Sequence, residues 1–134
     1  NTEKGRLELL ESERFTILDD SYNANPHSMK AAIDTLKTFS GEKIAVLGSM
    51  AELGANSRAL HQEIGEYANQ AGLDKLYTIG EHSNHYNGEL FPDIESLYIQ
   101  LNECHLGATI LIKGSRMMKL DELVDILSKS SISA

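Results

Sequence analysis

Apolar positions follow two different rhythms along this chain. Four short runs are almost wholly apolar: Phe15-Thr16-Ile17-Leu18, Lys43-Ile44-Ala45-Val46-Leu47, Leu76-Tyr77-Thr78-Ile79-Gly80 and Thr109-Ile110-Leu111-Ile112. Runs of that length bounded by turn residues predict strands buried on both faces, the habit of a parallel sheet. Between them apolar residues recur at helical spacing. Met29, Ala32, Ile33 and Leu36 form one such set, and Leu60, Ile64, Tyr67, Ala68 and Ala71 a second. Ile94, Leu97, Tyr98 and Leu101 form a third, and Leu120, Leu123, Val124 and Leu127 a fourth. Each predicts a helix with one buried face.

The ends of these elements carry their own signals. Asn25 is a good N-cap and Pro26 suits a first helical position, so the first helix is expected from Pro26 to about residue 39, with Ser40-Gly41 as its stop. The second is expected from near Ser57 to Gly72. Leu7-Glu8-Leu9 alternates as a half-buried strand does, and the polar residues 11–14 turn the chain back into the Phe15 run. Those two predict an antiparallel hairpin at one sheet edge. Leu90-Phe91 before Pro92 predicts a short edge strand, and the tail from residue 128 is expected to fray.

Strands alternating with amphipathic helices give an α/β class. The expected fold is a Rossmann-like, mostly parallel sheet flanked by helices and joined by right-handed crossovers, with the N-terminal hairpin as its antiparallel edge. A length of 134 residues suits a single domain. The net charge of −8 argues against a nucleic-acid partner, which needs clustered Lys and Arg, but leaves room for a nucleotide. The single cysteine, Cys104, has no internal partner and fits a reducing compartment. No apolar run approaches transmembrane length, and no signal-like segment precedes the first strand. The chain begins at Asn1 rather than methionine, which suggests a piece of a longer protein, although removal of a tag would look the same.

Chemistry collects where the predicted strands end. After the Phe15 run come Asp19, Asp20, Tyr22, Asn23 and Asn25; after the second strand comes Gly48-Ser49-Met50-Ala51-Glu52-Leu53-Gly54; after the last comes Lys113-Gly114-Ser115-Arg116. In a parallel sheet these loops share one rim, where ligands of open α/β sheets bind. Lys113 and Arg116 are read as a positive pair able to hold a carboxylate or phosphate. A capped turn with a solvated acidic pair is the plainer reading of the first loop. There is no Gly-x-x-x-x-Gly-Lys-[Ser/Thr] to cradle a triphosphate and no Gly-x-Gly-x-x-Gly for a dinucleotide. His82 and His85 have a spacing a metal could use but lack an evident third ligand, and are read as solvated. His27, His61 and His105 are read as structural, and Cys104 as inert.

Those same loops resemble the carboxy-terminal domain of the Mur ligases. Leu18-Asp19-Asp20-Ser21-Tyr22-Asn23-Ala24-Asn25-Pro26 with Ser28-Met29 is similar to its opening signature. Val46-Leu47-Gly48-Ser49-Met50-Ala51-Glu52-Leu53-Gly54 and Ile112-Lys113-Gly114-Ser115-Arg116 are similar to its second and third segments, and Gly5-Arg6-Leu7 to its junction with the central domain. Within the family the form resembled is the one that adds D-alanyl-D-alanine to UDP-N-acetylmuramoyl-tripeptide. The Asp-Tyr-Ala-His core of the sister ligase that adds the third residue is absent, which puts that ligase and folylpolyglutamate synthetase behind.

The resemblance implies a cytoplasmic bacterial enzyme of peptidoglycan precursor synthesis, with no membrane or nucleic-acid partner. Its amino-terminal domain holds the UDP-sugar, and its central domain carries the P-loop and most of the Mg2+ site. This chain would be the third domain, inactive alone, positioning ATP and the dipeptide on closure. By the same resemblance Asp20 would hold the ATP ribose, Arg6 would reach the nucleotide from the hinge, and Tyr22, Asn23 and Asn25 would line the adjacent surface. Ser49, Glu52, Lys113, Ser115 and Arg116 would receive D-alanyl-D-alanine. No catalytic residue and no metal ligand is expected within the chain itself. A non-enzymatic receiver-like module, with Asp19, Asp20 and Lys113 as its acid pair and lysine, is the alternative from another class.

Overall fold

The computed structural model of the chain describes residues 7–131. Its sheet has six strands: β1 (Glu8–Glu11), β2 (Thr16–Asp20), β3 (Lys43–Gly48), β4 (Lys75–Ile79), β5 (Glu89–Phe91) and β6 (Thr109–Lys113). Their spatial order is β1-β2-β6-β3-β4-β5. β1 pairs antiparallel with β2, and every other pair is parallel, so the expected edge hairpin and parallel body are both present. The helices are α1 (Pro26–Lys37), α2 (Ser57–Asn69), α3 (Ile94–Cys104) and α4 (Asp121–Ser128). Short 3-10 turns at Gly54–Asn56, Ser83–Tyr86 and Arg116–Met118 were not marked by any apolar rhythm.

The sheet is covered on both faces because successive strand residues point opposite ways. Ile17, Ile44, Val46, Tyr77, Ile110 and Ile112 face α3 and α4, packing on Leu97, Leu101, Leu123 and Leu127. Leu18, Ala45, Leu47 and Leu111 face α1 and α2, packing on Met29, Ile33, Leu36 and Ile64. α1 starts as expected: the Asn25 side chain accepts from the Ser28 N–H at 2.8 Å, and the Ser28 hydroxyl accepts from the Asn25 N–H at 3.1 Å. Such a cap contributes about 1 kcal/mol. The helix stops at Lys37, two residues early, because Phe39 N–H bonds back to Leu36 O and tightens the last turn.

One strand boundary matters for function. β2 runs through Asp19 and Asp20 rather than ending before them, because both stay in register with β6, Asp19 opposite Ile112 and Asp20 opposite Lys113. The two acids are therefore strand residues that point to opposite faces, not a loop pair.

Candidate functional site

β6 lies between β2 and β3, and its exit differs from theirs. β2 and β3 lead into α1 and α2 on one face, whereas β6 leads into α4 on the other. The loops therefore part on both sides of β6, and such a divergence opens a crevice at the carboxyl rim. On the β3 side the two strand ends come unusually close. A Cβ on Gly114 would lie 3.0 Å from Gly48 Cα and 2.8 Å from Leu120 Cδ1, so neither chain end could approach in this way with a larger residue. Ser115 N–H then donates to Ser49 O at 2.8 Å, stitching the second and third motif loops together.

A cavity of about 410 Å³ opens at that stitch, lined by Ser49, Glu52, His82, Ser115, Met117 and Met118 among others. Its wall is tied down from several elements. The Ser49 hydroxyl donates to Glu81 O beyond β4, and Met50 N–H donates to His61 Nε2 on α2 at 3.0 Å. Tyr86 is fully buried, and its hydroxyl donates to Gly48 O at 2.8 Å. Glu52 carries its side chain at φ 61, a conformation uncommon outside glycine. Three of the five residues expected to receive the dipeptide, Ser49, Glu52 and Ser115, share this cavity.

Lys113 does not. It was expected as a rim cation beside Arg116, but it is 2 % exposed and its Nζ donates to Asp20 Oδ2 at 2.8 Å and to Asn23 O at 2.9 Å. β6 extends one residue further than the apolar run, which turns the Lys113 side chain onto the α1 face. The expected positive pair is thus split. Arg116 is exposed, with its guanidinium 4.7 Å from the centre of the Tyr22 ring, in range for a cation–π contact. These two line a groove of about 330 Å³ with Ser21 and Lys119.

The first motif loop divides its residues between structure and surface. Asp19 Oδ1 accepts from the Ser21 N–H at 3.1 Å and the Ser21 hydroxyl at 2.7 Å, and so holds the turn. Asn23 Oδ1 accepts from Ala24 N–H at 2.8 Å, and Asn25 caps α1. Asp20 and Asn23 line a cleft of about 430 Å³ with Leu7, Ser28, Thr35 and Lys113. Burial raises the Asp20 carboxyl above its ordinary range, more than Lys113 beside it pulls it down. Arg6 lies outside the described residues.

The histidines are better organised than the sequence suggested. His105 is buried between Tyr77 Oη at 2.5 Å and Glu42 Oε2 at 2.9 Å, a satisfied structural network at the opposite end of the strands. His27 is exposed. His82 and His85 stack at 6.4 Å, and among the described residues no three of His, Cys, Asp and Glu are grouped as a metal site. His61 was read as structural, and it is buried; its bond to the second motif loop had only its place four residues after Ser57 as a sequence signal. Tyr86 was hidden in a stretch that reads as polar turn.

The sequence model described as "Mur ligase, glutamate ligase domain" matches residues 5–116. This chain belongs to the Mur ligase family. Among its relatives is the UDP-N-acetylmuramoyl-tripeptide–D-alanyl-D-alanine ligase of Escherichia coli K12, 39% identical over 127 residues. That match covers 89% of this chain and 28% of the relative. The enzyme of the same name from Rickettsia prowazekii is 36% identical, with 91% of this chain and 29% of the relative covered. Among solved structures, MurF ligase from Thermotoga maritima in complex with ADP superposes with a TM-score of 0.85 at 30% identity, over 96% of this chain and 31% of that one. The chain thus spans under a third of the length of these three ligases. Family membership removes the receiver-like alternative.

Proposed function

We propose that this chain is the carboxy-terminal domain of an ATP-dependent ligase that joins D-alanyl-D-alanine to UDP-N-acetylmuramoyl-tripeptide. The parent's amino-terminal UDP-substrate domain and central P-loop domain would lie outside this sequence. One observation carries the reading: three motif loops, each similar in order to those of one ligase, converge on the crevice around β6. The names borne by the E. coli and R. prowazekii relatives support the choice of substrates, and ADP in the T. maritima structure supports the nucleotide. No helix among the described residues is long and apolar enough to cross a membrane. The bacterial cytoplasm is the place of work that the family resemblance implies.

In this reading the γ-phosphoryl group of ATP moves to the terminal carboxylate of the tripeptide, and ADP leaves. The dipeptide amine then attacks the acyl carbon, phosphate leaves, and an amide remains. This chain's residues bind and orient. A carboxylate has about four acceptor positions, so Asp20 retains capacity for ribose hydroxyls beyond its bond to Lys113. Asn23 lines the same cleft, and Tyr22 and Asn25 lie next to it. Ser49, Glu52 and Ser115 offer polar groups to the dipeptide beside the apolar Met117 and Met118, and Arg116 stands at the neighbouring groove for its carboxylate. Holding an amine next to an activated carboxyl lowers the barrier by orientation alone. Mg2+ would accompany ATP, held mainly outside this chain.

The test is a mass-spectrometric end-point assay of the ligase that contains this chain. With ATP, Mg2+, the UDP-tripeptide and D-alanyl-D-alanine, one dipeptide is added per ADP formed. Addition of a single amino acid in preference to the dipeptide, or ADP formation without amide, would overturn the reading. The chain by itself is expected to hydrolyse no ATP.

A further inference from the structure

His61 belongs to α2, yet its ring serves the loop that follows β3. The side chain is fully buried. Nδ1 lies 2.7 Å from Ser57 O, and Nε2 lies 3.0 Å from Met50 N. A carbonyl oxygen only accepts, so the proton is on Nδ1; a backbone N–H only donates, so Nε2 is bare. The bonding allows one tautomer of the neutral ring. A second proton on Nε2 would set N–H against N–H.

The bond is one of three that fix residues 49 and 50. Ser115 N–H reaches Ser49 O at 2.8 Å, the Ser49 hydroxyl reaches Glu81 O, and His61 takes Met50 N–H. The tethers come from three different elements and end on the wall of the 410 Å³ cavity. Two residues on, Glu52 holds a left-handed backbone that a bulky side chain disfavours, so the loop needs outside support to keep its shape.

The surroundings favour the neutral ring. His82 lies 6.0 Å away and Tyr86 4.9 Å, with His85 stacked on His82, while Glu52 and Glu81 line the adjoining cavity. Burial holds His61 below the usual imidazole range against an upward pull from Ser57 O, and His82 and His85 add to the depression.

We propose that neutral His61 is a positioning residue, which holds residues 49–54 in the shape that receives the amine substrate and releases them when Nε2 is protonated. The proposal rests on the ligase reading above. It places the effect on the dipeptide and not on ATP, whose cleft lies on the other side of β6.

The variants His61→Phe and His61→Gln separate shape from bonding. Phenylalanine fills the space and offers no acceptor, whereas a glutamine amide oxygen can reach the Nε2 position. In the ligase that contains this chain, His61→Phe should raise KM for D-alanyl-D-alanine about tenfold, the effect of one lost hydrogen bond. KM for ATP should change less than about twofold, and His61→Gln should recover most of the loss. The dipeptide amine itself protonates on acidification in both enzymes, so the dipeptide KM should rise more steeply in wild type than in His61→Gln. Equal effects on both substrates, no rescue by glutamine, or the same pH profile in wild type and His61→Gln would each overturn the proposal. Should His61→Phe fail to fold, two-bond 1H–15N correlation spectra of the 134-residue chain decide: a proton on Nε2, or a ring that titrates like a free histidine, overturns it. A wild-type ligase with no dipeptide-dependent activity would instead defeat the ligase reading, and the spectra would still report on His61.

Discussion

Asp20 and Lys113 face each other across β2 and β6, and the carboxylate and ammonium meet at 2.8 Å with side chains 9 % and 2 % exposed. A buried pair of this kind adds little net stability, but removing one partner strands the other charge. Lys113→Met should therefore destabilise the chain by about 3–5 kcal/mol at neutral pH. Burial already lifts Asp20 above its ordinary 3.8, and loss of the lysine lifts it further. The folded state then takes up the Asp20 proton at a higher pH than the unfolded state, so stability falls as pH rises through that window. The Lys113→Met defect should shrink on acidification, and the double variant Asp20→Leu/Lys113→Met should recover most of it. Urea unfolding at pH 5 and pH 7.5 checks both expectations.

Gly65 lies inside α2, where alanine would ordinarily gain about 1 kcal/mol of helix propensity. A Cβ there would stand 2.1 Å from Tyr86 O, in backbone that cannot step aside cheaply. Overpacking costs about 1–3 kcal/mol, so Gly65→Ala should be destabilising despite the propensity. Tyr86→Phe, which removes the hydroxyl bond to Gly48 O, should cost about 1 kcal/mol. A thermal melt showing Gly65→Ala more stable than wild type would refute the close approach.

His61 also gives the chain a pH dependence of stability. Its folded value is depressed below the ordinary 6.5, so the unfolded chain protonates first as pH falls. Stability from this group is complete above the ordinary histidine range and declines on acidification through it. The difference in unfolding free energy between wild type and His61→Gln should therefore narrow from pH 7.5 to pH 5.5. A constant difference would mean that the ring titrates alike in both states.

Arg116 tests the carboxylate end of the proposed dipeptide site. Its guanidinium rests on the Tyr22 ring, which fixes a planar fork that an ammonium cannot copy. Arg116→Lys in the ligase should raise KM for D-alanyl-D-alanine several-fold while leaving KM for ATP near the wild-type value. Equal increases in initial-rate measurements would assign the residue to closure or folding.

The fold was legible because each element repeats one signal many times. Ile44, Val46, Ile110 and Ile112 on one face and Ala45, Leu47 and Leu111 on the other left little choice but a doubly covered sheet. The Asn25 cap was equally plain. What could not be read was the order of the parallel strands. The bond between Lys113 and Asp20 follows from the order β2-β6-β3, which no local pattern near either residue records. Tyr86 and His61 were obscured for a related reason: each bonds a backbone group of β3 or its loop, and backbone partners leave no mark on side-chain pattern.

Hydrogen exchange on the intact ligase tests most directly where the substrates sit. With a non-hydrolysable ATP analogue and the UDP-tripeptide present, D-alanyl-D-alanine should slow exchange in residues 49–57 and 114–118. The ATP analogue alone should act on residues 20–25. Dipeptide binding that leaves both 49–57 and 114–118 unchanged, while protecting another part of the enzyme, would contradict the assignment of the crevice around β6.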